Sequence, residues 1–253
     1  MILNYKFNNT FLLKLMEKNM NEKPNFVYLE PIEHKYFNKG TGEQYTSISA
    51  ILAKYKVKFE ENKIASAIAR RDGRNKEDII AEWRAINKEA TDFGTYKIHN
   101  PIEDYIKAKG FYFPTDDYEK RVVEAFKGLD LLRAETIMAE ECLWIDEHKV
   151  AGTSDLVLDY GDFFDINDYK SNKKLTYKND YGNWMKGCLS HLSDCSYNAY
   201  AIQLSFYAYM YELRTGKKLR ELKILWWNRD TMNFDRVPLP YMKYEILEIL
   251  KEI

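Results

Sequence analysis

Alternating apolar and polar side chains predict two neighbouring strands in the middle of the chain. The run 163–170 places two apolar and two charged residues on one face: Phe164, Ile166, Asp168 and Lys170. A second strand-like run covers 150–160, and the pair 161–162 can turn it back onto 163–170. If the two strands are neighbours, Asp155 of the first meets Asp168 and Lys170 of the second.

The rest of the pattern predicts further strands and helices around this hairpin. Strands are predicted at 26–29, 34–37, 44–46, 140–145, 223–227 and 234–237. Helices are predicted near Asn9 or Thr10, from Ser47 or Ser49 through Tyr55, twice within 59–90, from about Asp92, from Thr115 through Phe126, from Tyr200 to Leu213, and from Tyr241. Asn100 and Pro101 predict a helix restart, as cap and first-turn proline. This mixture predicts an α/β protein.

Composition fits one large domain. The chain has 253 residues, of which 45% are hydrophobic, and no Gly/Ser/Pro-rich linker divides it. The net charge of −1 gives no overall basic signature of a nucleic-acid binder, although a local groove would suffice. We expect a soluble, cytoplasmic protein, because we find no targeting signal or membrane span and the three cysteines are too sparse for a secreted disulfide scaffold.

The converging carboxylates and lysine indicate a metal site. An Asp or Lys beside apolar neighbours needs a partner for its charge. Two adjacent carboxylates repel each other unless a cation such as Mg²⁺ binds both. A nearby lysine can hold a phosphate or an attacking water, so the set favours metal-assisted phosphodiester hydrolysis. The alternative is a surface ion pair near a hairpin.

The same residues carry a resemblance to a known family. Asp155, followed after a gap by Asp168-Tyr169-Lys170, resembles the motif of the PD-(D/E)xK nuclease superfamily. The segment 151–157, Ala-Gly-Thr-Ser-Asp-Leu-Val, looks like the strand that carries its first acid. Gly94 with His99, and Gln203 with Tyr207, resemble the motifs that the RecB-like and phage-type exonuclease branch adds. The mitochondrial genome-maintenance exonuclease has a similar layout.

This resemblance implies a restriction-endonuclease-like core, a mixed central β-sheet flanked by α-helices, in a DNA exonuclease that uses Mg²⁺ or Mn²⁺. The implied metal ligands are Asp155, Asp168, His99 and the Tyr169 carbonyl. Lys170 would orient the attacking water, and Gln203 and Tyr207 would steer the strand end or Lys170. Glu140 or Glu141 would add an acid, and alternation does not decide between them. The polar exit from the strand would contact phosphates through Ser171, Lys173 and Lys174.

The expected organisation is a single nuclease domain over 1–253. It divides into an N-terminal helical extension (1–22), a hairpin and helical region (23–130) and a catalytic core (131–253). The phage resemblance implies roles in recombination, repair or replication, with a recombinase or single-strand-binding protein as partner. Two alternatives remain open: a structure-specific endonuclease of the same fold, and a non-catalytic nucleic-acid-binding protein. Cys188, His191 and Cys195 offer three zinc ligands, or a plain loop.

Overall fold

The computed structural model describes residues 26–129 and 131–253. The expected helix near Asn9 or Thr10, and with it the 1–22 extension, lies outside these residues.

A mixed sheet forms the centre of the described chain and contains eight strands there. They are β1 (Val27–Glu30), β2 (Lys35–Asn38), β3 (Gln44–Ser47), β4 (Thr136–Ile145), β5 (Val150–Asp159), β6 (Phe163–Lys170), β7 (Lys218–Asn228) and β8 (Asn233–Leu239). Their order is β1-β2-β3-β5-β6-β7-β8, and β4 also pairs with β5. The pairs β3·β5 and β6·β7 are parallel, and the others are antiparallel. The prediction of a mixed central sheet is confirmed.

The sheet forks along one edge of β5. The strand β4 pairs with β5 along its whole length, so β3 and β6 must share the opposite edge. There β3 pairs with Val150 and Ala151, whereas β6 pairs with residues 156–159. Residues 152–155 lie in the gap between the two partners. Asp155 therefore stands at the fork, where the sheet opens into a cleft.

Helices cover both faces of the sheet. They are α1 (Ile48–Tyr55), α2 (Glu61–Asp72), α3 (Lys76–Phe93), α4 (Asn100–Lys107), α5 (Asp117–Lys127), α6 (Ser196–Thr215) and α7 (Lys243–Lys251), with short 3-10 turns at Leu131–Arg133 and Gly187–Leu189. The side chain of Ser47 accepts a hydrogen bond from the amide of Ala50 and so caps α1, one of the two caps predicted. None of the helices among the described residues has the length and apolarity to cross a membrane.

Two hydrophobic cores follow from the alternation along the central strands. Phe164 and Ile166 of β6 pack with α1, α6 and α7 on one face. Tyr169 of the same strand points to the other face and packs with α4 and α5. On the first face Gly152 permits unusually close packing, because a Cβ atom there would lie 2.6 Å from the Tyr207 ring. The sheet is thus flanked by helices, as predicted.

Two predicted helix boundaries are wrong. No helix begins at about Asp92, because α3 passes through a π-helical turn (Gly94–His99) directly into α4. Asn100 is not a cap and Pro101 does not restart a helix, since Asn100 has helical angles and its amide donates to the carbonyl of Thr95. The wider turn precedes Pro101, whose ring would clash with the preceding turn of a regular α-helix.

The start of α5 is also displaced by one residue from its prediction. Asp116, rather than Thr115, is the cap, and its carboxylate accepts from the amide of Glu119 at 2.9 Å. Thr115 instead donates its amide and hydroxyl to the Glu119 carboxylate, at 2.8 and 2.7 Å. Lys97 of the π-helical turn contacts the same acids, 2.5 Å from Asp116 and 3.4 Å from Glu119. These contacts fasten the π-helical turn to α5.

Candidate metal centre

The antiparallel pairing of β5 with β6 brings the two predicted aspartates together. Leu156 pairs with Asn167, so continuing that register places Asp155 opposite Asp168. The Asp155 carboxylate accepts a hydrogen bond from the Tyr169 amide at 3.0 Å. Asp168 is only 2% exposed, and its carboxylate contacts the ammonium group of Lys170. Asp155, Asp168 and Lys170 thus converge at the fork of the sheet.

Three side chains from three different elements form a group with the spacing of a metal site. One ligand atom each from His99, Glu140 and Asp155 lies within 4.8 Å of the others. The Nδ1 atom of His99 is 3.3 Å from the nearer oxygen of Asp155. The imidazole packs edge-on against the Tyr169 ring, with centroids 5.5 Å apart. The π-helical turn therefore presents a histidine to the acids of the sheet.

Glu140 joins this group through a strained backbone conformation. Its neighbours Ala139 and Glu141 pair with Leu156 and Ser154, which leaves Glu140 opposite Asp155. Glu140 has a φ of 53°, in the left-handed region that few residues other than glycine adopt. Such strain costs on the order of 1–3 kcal/mol and tends to occur at functional sites. Glu141 does not join the group, because its carboxylate lies 2.7 Å from Arg214.

The carboxyl groups at the fork are crowded and poorly hydrated. Burial, with the Asp155 carboxylate beside it, raises the pKa of Glu140 to about 8. Burial and Asp155 also raise the pKa of Asp168 to about 6, although Lys170 opposes the shift. Burial disfavours the charged form of Lys170, but Asp168 and Asp155 outweigh that effect and raise the pKa of the ammonium. A bound divalent cation would relieve this repulsion.

The group opens into a cleft of about 410 Å³. Gln203 and Tyr207 of α6 line one wall, and the Gln203 amide donates to the Tyr207 hydroxyl at 3.0 Å. The pair lies on one face of α6 because the residues are one helical turn apart. Burial raises the pKa of Tyr207 well above its usual value, so its hydroxyl keeps its proton.

Several cleft residues were not predicted from the sequence. The hydroxyls of Tyr36 and Thr153 share a hydrogen bond of 3.1 Å, and Ser47, which was predicted only as a cap, lies beside them. Outside the residues that line the cleft, the ring centroid of Tyr200 lies 5.0 Å from the Lys170 ammonium. Serine, threonine and tyrosine are common in strands and caps, so no local pattern distinguishes those that face a cleft.

The predicted phosphate-contacting residues take different directions. Ser171 packs against the π-helical turn, where a Cβ atom on Gly94 would lie 2.9 Å from its hydroxyl. Lys173 lines a separate cavity, whereas Lys174 lies 3.5 Å from Asp180. Tyr169 offers its amide to Asp155, and its side chain is in the core on the other face.

Within the described chain, the three possible zinc ligands Cys188, His191 and Cys195 do not come together as a metal site. His191 Nε2 lies 3.2 Å from a carboxylate oxygen of Glu245. Cys188 and Cys195 are free thiols. Among residues 26–129 and 131–253, the one group of such side chains with metal-ligand spacing is that of His99, Glu140 and Asp155.

Comparisons with solved structures find a distant likeness. No family model matches the chain, and no curated protein matches it. A crystal structure described as that of a "putative exonuclease" from Eubacterium rectale aligns over 79% of this chain and 67% of its own, at 10% sequence identity and a TM-score of 0.35.

Proposed function

We propose that this protein is a metal-dependent deoxyribonuclease that hydrolyses phosphodiester bonds as an exonuclease. The observation that carries the proposal is the group of His99, Glu140 and Asp155 in one cleft, with the buried Asp168–Lys170 pair beside Asp155. Imidazole and carboxylate ligands suit Mn²⁺, and carboxylates suit Mg²⁺. The order of the sequence motifs, from Gly94 to Tyr207, supports the exonuclease branch.

The residues of the group would hold the metal, and their neighbours would act on the substrate. His99, Glu140, Asp155 and Asp168 are the proposed ligands. When bound, the ion supplies Lewis-acid activation of the phosphate and a lowered pKa for a coordinated water. Lys170, held against Asp168, orients the water and offsets charge that builds on the phosphate oxygens. The Gln203 amide and Tyr207 hydroxyl position the strand end.

A digestion assay with end-labelled DNA tests the proposal. Linear single- and double-stranded DNA and a closed circle are incubated with Mg²⁺, Mn²⁺ or EDTA. We expect metal-dependent loss of a linear substrate while the circle survives. Cutting of the circle would instead establish an endonuclease, and no cutting with either metal would favour a non-catalytic nucleic-acid-binding protein.

Variants connect the activity to the site. Asp168→Asn should abolish cleavage while leaving the fold intact, as circular dichroism would show. Asp180→Asn is a matched control, because Asp180 is an exposed carboxylate paired with Lys174. An Asp168→Asn protein that digests DNA at the wild-type rate would refute the proposed site.

A further inference from the structure

A second cavity, of about 360 Å³, lies beyond the carboxyl ends of the parallel strands β6 and β7. In open α/β sheets, ligands bind preferentially at that edge of parallel strands. Lys170 pairs with Trp226, and the cavity begins two residues past Lys170, at Asn172. Two residues of chain span at most about 7 Å, so the cavity begins within about 7 Å of the Lys170 backbone.

The cationic side chains of this cavity are arranged for an anion. Arg229 and Lys173 line it, with Asp230 as the one acid among the lining residues. The Arg229 guanidinium stacks on Phe93, 3.7 Å from the ring centroid, and donates to the Ser171 carbonyl at 3.3 Å. These contacts fix the plane of the guanidinium, whose other donors can still meet a phosphate.

Trp226 adds an aromatic wall for an uncharged group. It lines the cavity, and its indole donates to the backbone carbonyl of Asn172 at 2.8 Å, which holds the ring in place. An aromatic side chain can stack on a nucleic-acid base.

We propose that this cavity binds the terminal nucleotide of the strand being cut. Lys173 and Arg229 bind its phosphate, and Trp226 stacks on its base. The inference rests on the proposed nuclease function, since it takes the ligand to be a nucleotide. It assigns to Lys173 a partner residue, Arg229, that the sequence motifs did not indicate.

Nucleotide binding in EDTA tests the cavity without any cleavage. The probe is deoxyadenosine 5′-monophosphate, measured by isothermal titration calorimetry beside deoxyadenosine and inorganic phosphate. We expect the nucleotide to bind more tightly than either fragment. Lys173→Ala should weaken nucleotide binding about tenfold, the usual effect of one charge-assisted hydrogen bond. Lys251→Ala, which removes an exposed lysine of α7 that is paired with Glu248 at 2.6 Å, should bind within about twofold of wild type.

Other outcomes would overturn the inference. They are no nucleotide binding by the wild type, equal losses in the two lysine variants, or phosphate binding as tight as that of the nucleotide. Arg229→Met gives a second check and should also weaken nucleotide binding. This result counts only if the melting temperature of the variant is unchanged, because Arg229 also donates to the Ser171 carbonyl. Failure is separable from failure of the proposed function: a protein that digests DNA but does not bind the nucleotide loses only the cavity assignment. One that binds it but cuts no DNA with either metal loses the nuclease assignment.

Discussion

A methyl group added at Gly152 should strain the contact between β5 and two helices. A Cβ atom there would lie 2.6 Å from a ring carbon of Tyr207 and 2.7 Å from Cδ1 of Ile48. Both separations are shorter than real Cβ contacts allow. Both neighbours are buried, Ile48 at 1% and Tyr207 at 4% exposure, so neither can move into solvent.

The expected cost follows from overpacking. Forcing a methyl group into a filled core costs about 1–3 kcal/mol. For a protein of this size, each 1 kcal/mol lowers the melting temperature by about 2–4 °C. We therefore expect Gly152→Ala to melt about 2–12 °C below wild type.

Thermal unfolding followed by circular dichroism measures the effect, and a double variant checks its cause. Ile48→Val alone removes the Cδ1 atom and costs about 0.5–1.5 kcal/mol. In the Gly152→Ala background the same change should cost less or restore stability, because it removes one of the two close contacts. A Gly152→Ala protein that melts within 1 °C of wild type, with additive effects in the double variant, would refute this packing.

Three further predictions concern charges. Lys217→Met removes the ammonium that lies 2.6 Å from the Asp159 carboxylate. Burial alone would raise the pKa of Asp159, but this contact and others outweigh burial and lower it. We expect the variant to lose about 1–3 kcal/mol of unfolding free energy near neutral pH. The loss should shrink as acid protonates the carboxylate, as urea denaturation at several pH values would show. Lys170→Met should raise the pKa of Asp168 above about 6. The unfolding free energy of this variant should therefore fall more steeply than that of wild type between pH 5 and 8, as thermal melts would show. Parallel curves for the two proteins would contradict the ion pair. Glu140→Gln should reduce the rise in melting temperature that Mn²⁺ gives relative to EDTA, and an undiminished rise would remove Glu140 from the metal centre.

The central hairpin was predictable because its signals are local. Alternation with a period of two assigns each residue of β6 to a face, and a two-residue turn fixes its pairing with β5. The mixed sheet with flanking helices is confirmed, and Asp155, Asp168 and Lys170 do converge. Their catalytic roles, the domain divisions and the partners stay predictions.

What the sequence did not determine depends on tertiary structure. Alternation places Glu140 and Glu141 on opposite faces of a strand but does not tell which of them meets Asp155. The register of β4 against β5 places Glu140 opposite Asp155, with a left-handed backbone at Glu140. Thr115 and Asp116 are both good caps, and the buried carboxylate of Glu119 takes Thr115 away from that role. The fork of the sheet is set by strands far apart in the chain, so no local pattern indicates it.

The π-helical turn sets the position of His99 independently of the packing of the helices on either side of it. A π-helical turn holds about one residue more than an α-helical turn, so the helix from α3 to α4 carries the equivalent of a one-residue insertion. Deleting one residue there, together with Pro101→Ala to remove the clash of the proline ring, should restore a regular helix whose two ends keep their neighbours, while His99 would no longer face Asp155. Two small changes of sequence should therefore remove the proposed ligand His99 from the group while the surrounding fold stays the same.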